Sequence, residues 1–257
     1  MKITDIKLKP CTMRKEDPNW RFALGASPVT EGVIVSIETD ENLTGYGYAS
    51  ATAHMGASME GLTGTLEKLI PHVKEYDALE MSAIRIKMDK ALSGNNQAKA
   101  AIDNALFDLA AKSMNVPLNR LFGGAVRTEF PVLRILAIKQ PEEMAEQAKI
   151  LFDQGYRYFK IKVHGDVDLD IARVAAIRKL LGEEANLTVD ANQAYSPKDA
   201  IEALSGMATY RLDLVEQPVA IHDYKGMKIV TDSVPVTVEA DESAGSIQEV
   251  AHLVENR

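Results

Sequence analysis

From about residue 128 onward, short β-branched runs alternate with amphipathic helical stretches, and no other feature of this 257-residue chain constrains its fold as tightly. Residues 130–138, 156–163, 186–190, 211–216 and 234–241 read as strands. Residues 141–153, 168–181, a stretch opening at Ser196-Pro197, 224–231 and 246–256 read as helices. Pro141 followed by two glutamates suits a first helical turn, and Ser196 suits an N-cap. Such alternation implies right-handed βα units around a parallel sheet. No GxGxxG follows the first of these strands and no GxxxxGK[ST] occurs, so dinucleotide and P-loop folds are unsupported. A (β/α) barrel remains. A closed eight-stranded barrel takes about 250 residues, whereas the 127 residues after position 130 hold five strands.

The first half has a different rhythm. Residues 2–9 alternate, 32–39 form the run GVIVSIET, and 43–49 return as LTGYGYA, which together predict a small antiparallel meander. Helical spacing follows at 58–76 and, on a broad alanine-rich face, at 97–114. The turn at 121–124 marks the boundary between an α+β domain at 1–127 and the βα domain at 128–257.

Bulk properties narrow the classes of function. With 29 basic and 37 acidic residues the chain carries a formal charge of −8, which argues against a nucleic-acid partner. No apolar run approaches a membrane span of ~20 residues. One cysteine, and an N-terminus without the apolar core of a signal peptide, point to the cytoplasm.

Three of the later strands end in an acid: LTVDAN in Asp190, LDLVEQP in Glu216 and VTVEADES in Asp241, at spacings of 26 and 25 residues. Neighbouring strands lie ~4.8 Å apart, so carboxylates at matching heights can converge on one hard cation, Mg²⁺ or its substitute Mn²⁺. Active sites of βα barrels lie at this end of the strands. An acid after a strand also serves as a helix cap; three in register set this chain apart. In YRYFKIKVHG, Lys160 and Lys162 share one strand face. Two lysines on an interior face need acid partners, and a lysine so placed can exchange a proton. Proton abstraction beside a substrate carboxylate is the chemistry that such a set suits. Asn192, two residues past Asp190, and Gln217, directly after Glu216, are candidate supporting donors.

The combination KIK, VDAN, VEQP and ADES resembles the enolase superfamily, in particular its muconate-lactonizing and amino-acid racemase/epimerase branch (the mandelate racemase/muconate lactonizing enzyme family), along essentially the whole chain. The resemblance implies an α/β protein: an N-terminal α+β capping domain, then a modified TIM-type barrel with about its first five βα units present. It implies Asp190, Glu216 and Asp241 as Mg²⁺ ligands, Lys162 as an acid/base, and Lys160 as its assistant. Asn192 matches the polar residue beside the first ligand, and Glu242 would be a supporting acid. Residues 20–29 resemble a substrate-covering loop, with Trp20, Phe22 and Leu24 as candidate lid residues. His54 falls in a possible second lid segment, and Arg134 is a charged candidate in the first barrel strand.

The implied activity is a racemase or epimerase that removes the proton α to a carboxylate in an amino-acid derivative, through an enolate. The alternatives are a cycloisomerase or dehydratase of the same family, or a catalytically impaired truncated homologue. The family's second catalytic lysine would fall past residue 257, so the chain is expected to be C-terminally truncated. A small carboxylate substrate, homo-oligomerisation, and neither nucleic acid nor membrane complete the expectation.

Overall fold

The computed structural model describes residues 1–256, which form two compact units: residues 1–18 with 29–128, and residues 19–28 with 129 onward. In the first unit β1 (Ile3–Arg14) runs antiparallel to a long strand that itself pairs with the next, in the expected meander. Between them the chain makes a hairpin, β2 (Arg21–Phe22) and β3 (Gly25–Ala26), that clusters with the second unit. The meander continues as β4 (Val29–Thr39) and β5 (Thr44–Ser50).

Helices α1 (Met59–Leu69), α2 (Met81–Ala91), α3 (Asn96–Ser113) and the short α4 (Leu118–Leu121) follow. The helix expected over 58–76 stops at Leu69, where a 3-10 turn containing Pro71 begins. The core joins Ile3, Val33, Val35 and Ile37 to Leu66, Leu69, Ile84, Met88, Ile102 and Leu106. Helix α3 lies almost backbone-to-backbone on β5. A Cβ at Gly47 would sit 1.8 Å from the Ala101 carbonyl oxygen, and one at Gly45 would sit 2.1 Å from that of Ala105. The GYG spacing and the alanine-rich helix face are two halves of one contact.

The second unit is the alternating half. It runs β6 (Leu133–Leu136), α5 (Pro141–Asp153), β7 (Tyr158–Lys162), α6 (Val167–Leu181), β8 (Asn186–Asp190), α7 (Pro197–Ala208), β9 (Leu212–Glu216), α8 (Tyr224–Ser233), β10 (Thr237–Glu239) and α9 (Ile247–Glu255). All five strands are parallel, in the spatial order of the sequence. Asp166, Ser196, Asp223 and Ser246 each cap a helix by accepting the backbone N–H three residues on. One sheet face packs Phe159, Ile161, Leu187, Val189 and Val215 against Ala148, Val174, Ile177, Leu204 and Met207 of the helices. The intervening residues, Lys160, Lys162, Thr188 and Asp190, therefore face the other way. This is the expected α/β architecture: an α+β unit of capping-domain type, then a partial parallel βα sheet. No helix among the described residues is long and apolar enough to cross a membrane.

The α3–β5 contact sets a test. Gly47→Ala should cost about 3 kcal/mol through overpacking. Gly64→Ala, on an open face inside α1 with nothing within 4 Å of a new Cβ, should add about 0.5–1 kcal/mol. Urea denaturation of both variants measures the contrast; equal effects would refute the close approach.

Candidate active site

Register puts the chemistry-bearing groups in one row. Lys162 pairs with Asp190, Asp190 with Glu216, and Glu216 with Glu239 across four adjacent strands. The Lys162 ammonium donates to Asp190 Oδ2 at 2.5 Å and to Asn192 Oδ1 at 2.6 Å. One row down, the Lys160 ammonium lies 2.8 Å from Asp190 Oδ2 and 2.6 Å from Glu216 Oε2. Asn192 also donates from its backbone to Asp190 Oδ1 at 2.9 Å and from Nδ2 to Glu242 Oε1 at 3.1 Å. The sequence-predicted set Lys160, Lys162, Asp190, Asn192, Glu216 and Glu242 is thus one connected network.

Burial sharpens the electrostatics. Asp190 is fully buried, which by itself would raise its pKa. The Lys162 and Lys160 ammonium groups outweigh that and hold it below the usual carboxylate range. Glu216 goes the other way: burial first, then repulsion from Asp190 and Asp241, push it up to about 7 against the pull of Lys160. Burial also works against the charged form of Lys160, but its hydrogen bonds to Asp190 and Glu216 prevail and raise its pKa.

Asp241 departs from expectation. The fifth strand ends at Glu239, and Asp241 lies two residues beyond it, exposed, where a 3-10 turn begins. Glu239 holds the register position opposite Glu216 instead. Counting back two residues from Asp241 reaches Glu239, the one signal for it in the sequence. Among the described residues no three acids, histidines or cysteines converge into a metal-holding group. In kind, the donors fit a hard divalent cation: carboxylates only, no soft ligand. Glu242 Oε2, buried without a hydrogen-bond partner in the same turn, is a polar atom there that the protein's own donors do not satisfy.

Gln217 organises that turn. Its Nε2 donates to the Val219 carbonyl at 3.0 Å and to Ser243 Oγ at 2.7 Å. Its Oε1 accepts from the backbone N–H groups of Asp241 at 3.0 Å and Ser243 at 3.1 Å. Gln217, Gln193 and Asn192 all carry positive φ, an uncommon backbone state concentrated here at the strand ends.

The remaining candidates divide. The Arg21 carbonyl accepts from the Ile138 N–H at 3.0 Å, and the Phe22 ring centre lies 5.7 Å from Lys162 Nζ, so the hairpin brings Phe22 to the lysine. Trp20 is half-buried, its carbonyl accepting from Ser27 N, and Leu24 is exposed at the hairpin tip. Arg134 pairs in register with Phe159, on the helix-facing side of the sheet, and its guanidinium lies 5.0 Å from the Tyr156 ring centre. It is not brought to the acids. His54 belongs to the first unit, exposed on the 3-10 turn Ala53–Met55.

Comparison with known proteins gives concordant matches. Residues 143–257 match the enolase C-terminal domain-like family, and residues 7–123 match the mandelate racemase/muconate lactonizing enzyme N-terminal domain. An L-Ala-D/L-Glu epimerase of Clostridium acetobutylicum is 36% identical over 100% of this chain and 72% of its own length. An N-succinyl-L-Arg/Lys racemase of Bacillus cereus is 34% identical over 99% of this chain and 69% of its own. The structure of a dipeptide epimerase from Enterococcus faecalis, complexed with Mg and the dipeptide L-Leu-L-Tyr, superposes with a TM-score of 0.93 at 36% identity, covering 99% of this chain and 72% of that one.

Gln217→Ala would leave the Asp241 and Ser243 N–H groups without their acceptor and Ser243 Oγ without its amide donor, an expected loss of about 3 kcal/mol. Urea denaturation measures it, and a loss under about 1 kcal/mol would show that the turn holds itself without Gln217.

Proposed function

Because the chain belongs to the mandelate racemase/muconate lactonizing family of the enolase superfamily, we propose that it is a Mg²⁺-dependent racemase or epimerase of an amino-acid derivative bearing a free carboxylate, a dipeptide or an N-acyl amino acid. The observation that carries this reading is Lys162: an ammonium on the acid row, held by Asp190 and Asn192 and faced by Phe22. The names of the similar proteins, dipeptide epimerases and an N-succinylamino-acid racemase, support the substrate class.

In this reading Asp190, Glu216 and Asp241 hold Mg²⁺. A bound Mg²⁺ supplies a positive charge beside the substrate carboxylate, which makes the adjacent C–H more acidic. Lys162, once neutral, exchanges the α-proton at Nζ on its own face of the substrate, and inversion needs a second acid/base that delivers a proton to the opposite face. Lys160 places a second ammonium beside the same carboxylates and offsets their mutual repulsion. Asn192 keeps the Lys162 side chain in one rotamer through its Oδ1 while Glu242 holds the amide orientation through Oε1. Phe22 keeps water from the lysine on the hairpin side.

Incubation with L-Ala-L-Glu or an N-succinyl amino acid in D₂O with Mg²⁺ should give deuterium at the α-carbon, followed by mass spectrometry. Lys162→Ala should reduce the rate by at least about 10³-fold, and EDTA should abolish it reversibly. Exchange that survives Lys162→Ala or EDTA would defeat the assignment. Products of ring closure or water loss would redirect it to a cycloisomerase or dehydratase.

A further inference from the structure

A buried ion pair at the start of α6 takes no part in the proposed proton transfer. Asp170 is fully buried, and Arg173, one turn on, is 2% exposed. Arg173 Nη1 donates to Asp170 Oδ1 at 2.5 Å. An Asp–Arg pair withdrawn from water loses more in hydration than it gains in attraction unless further hydrogen bonds complete both groups. Here they are completed by the strand-end loops. Asp170 accepts the Gly165 N–H at 2.9 Å, the His164 N–H at 3.2 Å and the Tyr195 hydroxyl at 2.7 Å. Arg173 Nε donates to the Lys139 carbonyl at 2.7 Å, and its Nη1 lies 3.3 Å from His164 Nδ1. Tyr195 in turn donates its backbone N–H to the Pro218 carbonyl at 3.0 Å.

The Asp170–Arg173 pair therefore ties together the loops that leave β6, β7 and β8, Arg173 holding the first and Asp170 the other two, and through Tyr195 the loop that leaves β9. His164 is two residues past Lys162, and Tyr195 is five past Asp190. The loops meet closely. Gly165 has φ +100°, and a Cβ there would lie 2.8 Å from the Ala194 carbonyl oxygen. Burial, then the neighbouring Asp170 carboxylate, keep the Tyr195 phenol protonated well above its usual range, so it remains a donor. An apolar pair of equal volume would hold α6 to the sheet equally well. It could not give the loops a direction.

We infer that Asp170 is a positioning residue: with Arg173 and Tyr195 it latches the strand-end loops and so sets where Lys162 and Asp190 point. The kinetic half of this inference rests on the proposed function; the structural half does not. The test compares the unsubstituted chain with Tyr195→Phe, which removes one hydroxyl, and with Asp170→Asn. Amide hydrogen exchange by mass spectrometry should speed up about tenfold over residues 163–166 in both variants, with α3 unaffected as an internal reference. In the deuterium assay, Tyr195→Phe should lower kcat about tenfold and leave KM within about twofold. Unaltered amide exchange at 163–166 would overturn the latch. Faster amide exchange with unaltered kcat would reduce it to a structural contact and overturn the positioning role. If the unsubstituted chain releases no α-proton at all, that failure belongs to the proposed function, and amide exchange at 163–166 alone decides the latch.

Discussion

Everything at the candidate site depends on two lysines and two acids neutralising one another at the ends of three neighbouring strands. Removed from that company, each group would be an uncompensated charge in a poorly hydrated place. Parallel register makes the company obligatory. Once Phe159 and Ile161 are buried beneath the helices, Lys160 and Lys162 must face the other side, and the same parity delivers Asp190 and Glu216 to them. The sheet and the site are two readings of a single alternation.

That is why so much was legible beforehand. Period-two alternation in YFKIK and the apolar runs ahead of Asp190 and Glu216 carry the strands, their facing and the central charges. The αβ rhythm carries the parallel sheet, and the KIK–VDAN–VEQP–ADES set carries the family. What escaped has physical reasons. The α2 helix buries only Ile84 and Met88 among charged neighbours, too thin a stripe to stand out. The β2–β3 hairpin is two residues a side, below any detectable period. Asp241 was read as a strand end because the VTVEAD alternation runs past the point where β10 stops pairing. The face that Arg134 takes is set by its pairing with Phe159, which residue type alone does not reveal. The Asp170–Arg173 pair reaches Lys139, 34 residues from Arg173, through a backbone carbonyl, and backbone atoms leave no signature in residue type.

The strand ends share a further device. Asn192, Gln193 and Gln217 adopt left-handed backbone states within three residues of a strand-end acid, and Gln193 and Gln217 are secured by hydrogen bonds to the next strand end. Gln193 N bonds to the Gln217 carbonyl and Gln217 N to the Glu239 carbonyl, while the Gln193 side chain accepts from Ile221 N. The turns are costly in isolation and tolerable as a series, so local strain and long-range order at this edge are inseparable.

Helix α6 carries a counterpart to its Asp170 end. At the opposite end Arg178, also buried, donates to the carbonyls of Gly182, Ala185, Tyr210 and Arg211. Apart from Tyr195, the groups that α6 grips on neighbouring segments through these charged side chains are mainly main-chain atoms, which any residue type supplies. Residues around the helix can therefore be exchanged over evolutionary time without loosening its anchorage. A scaffold fastened in this way leaves lineages free to rewrite their loops while the lysine-bearing strand stays in place.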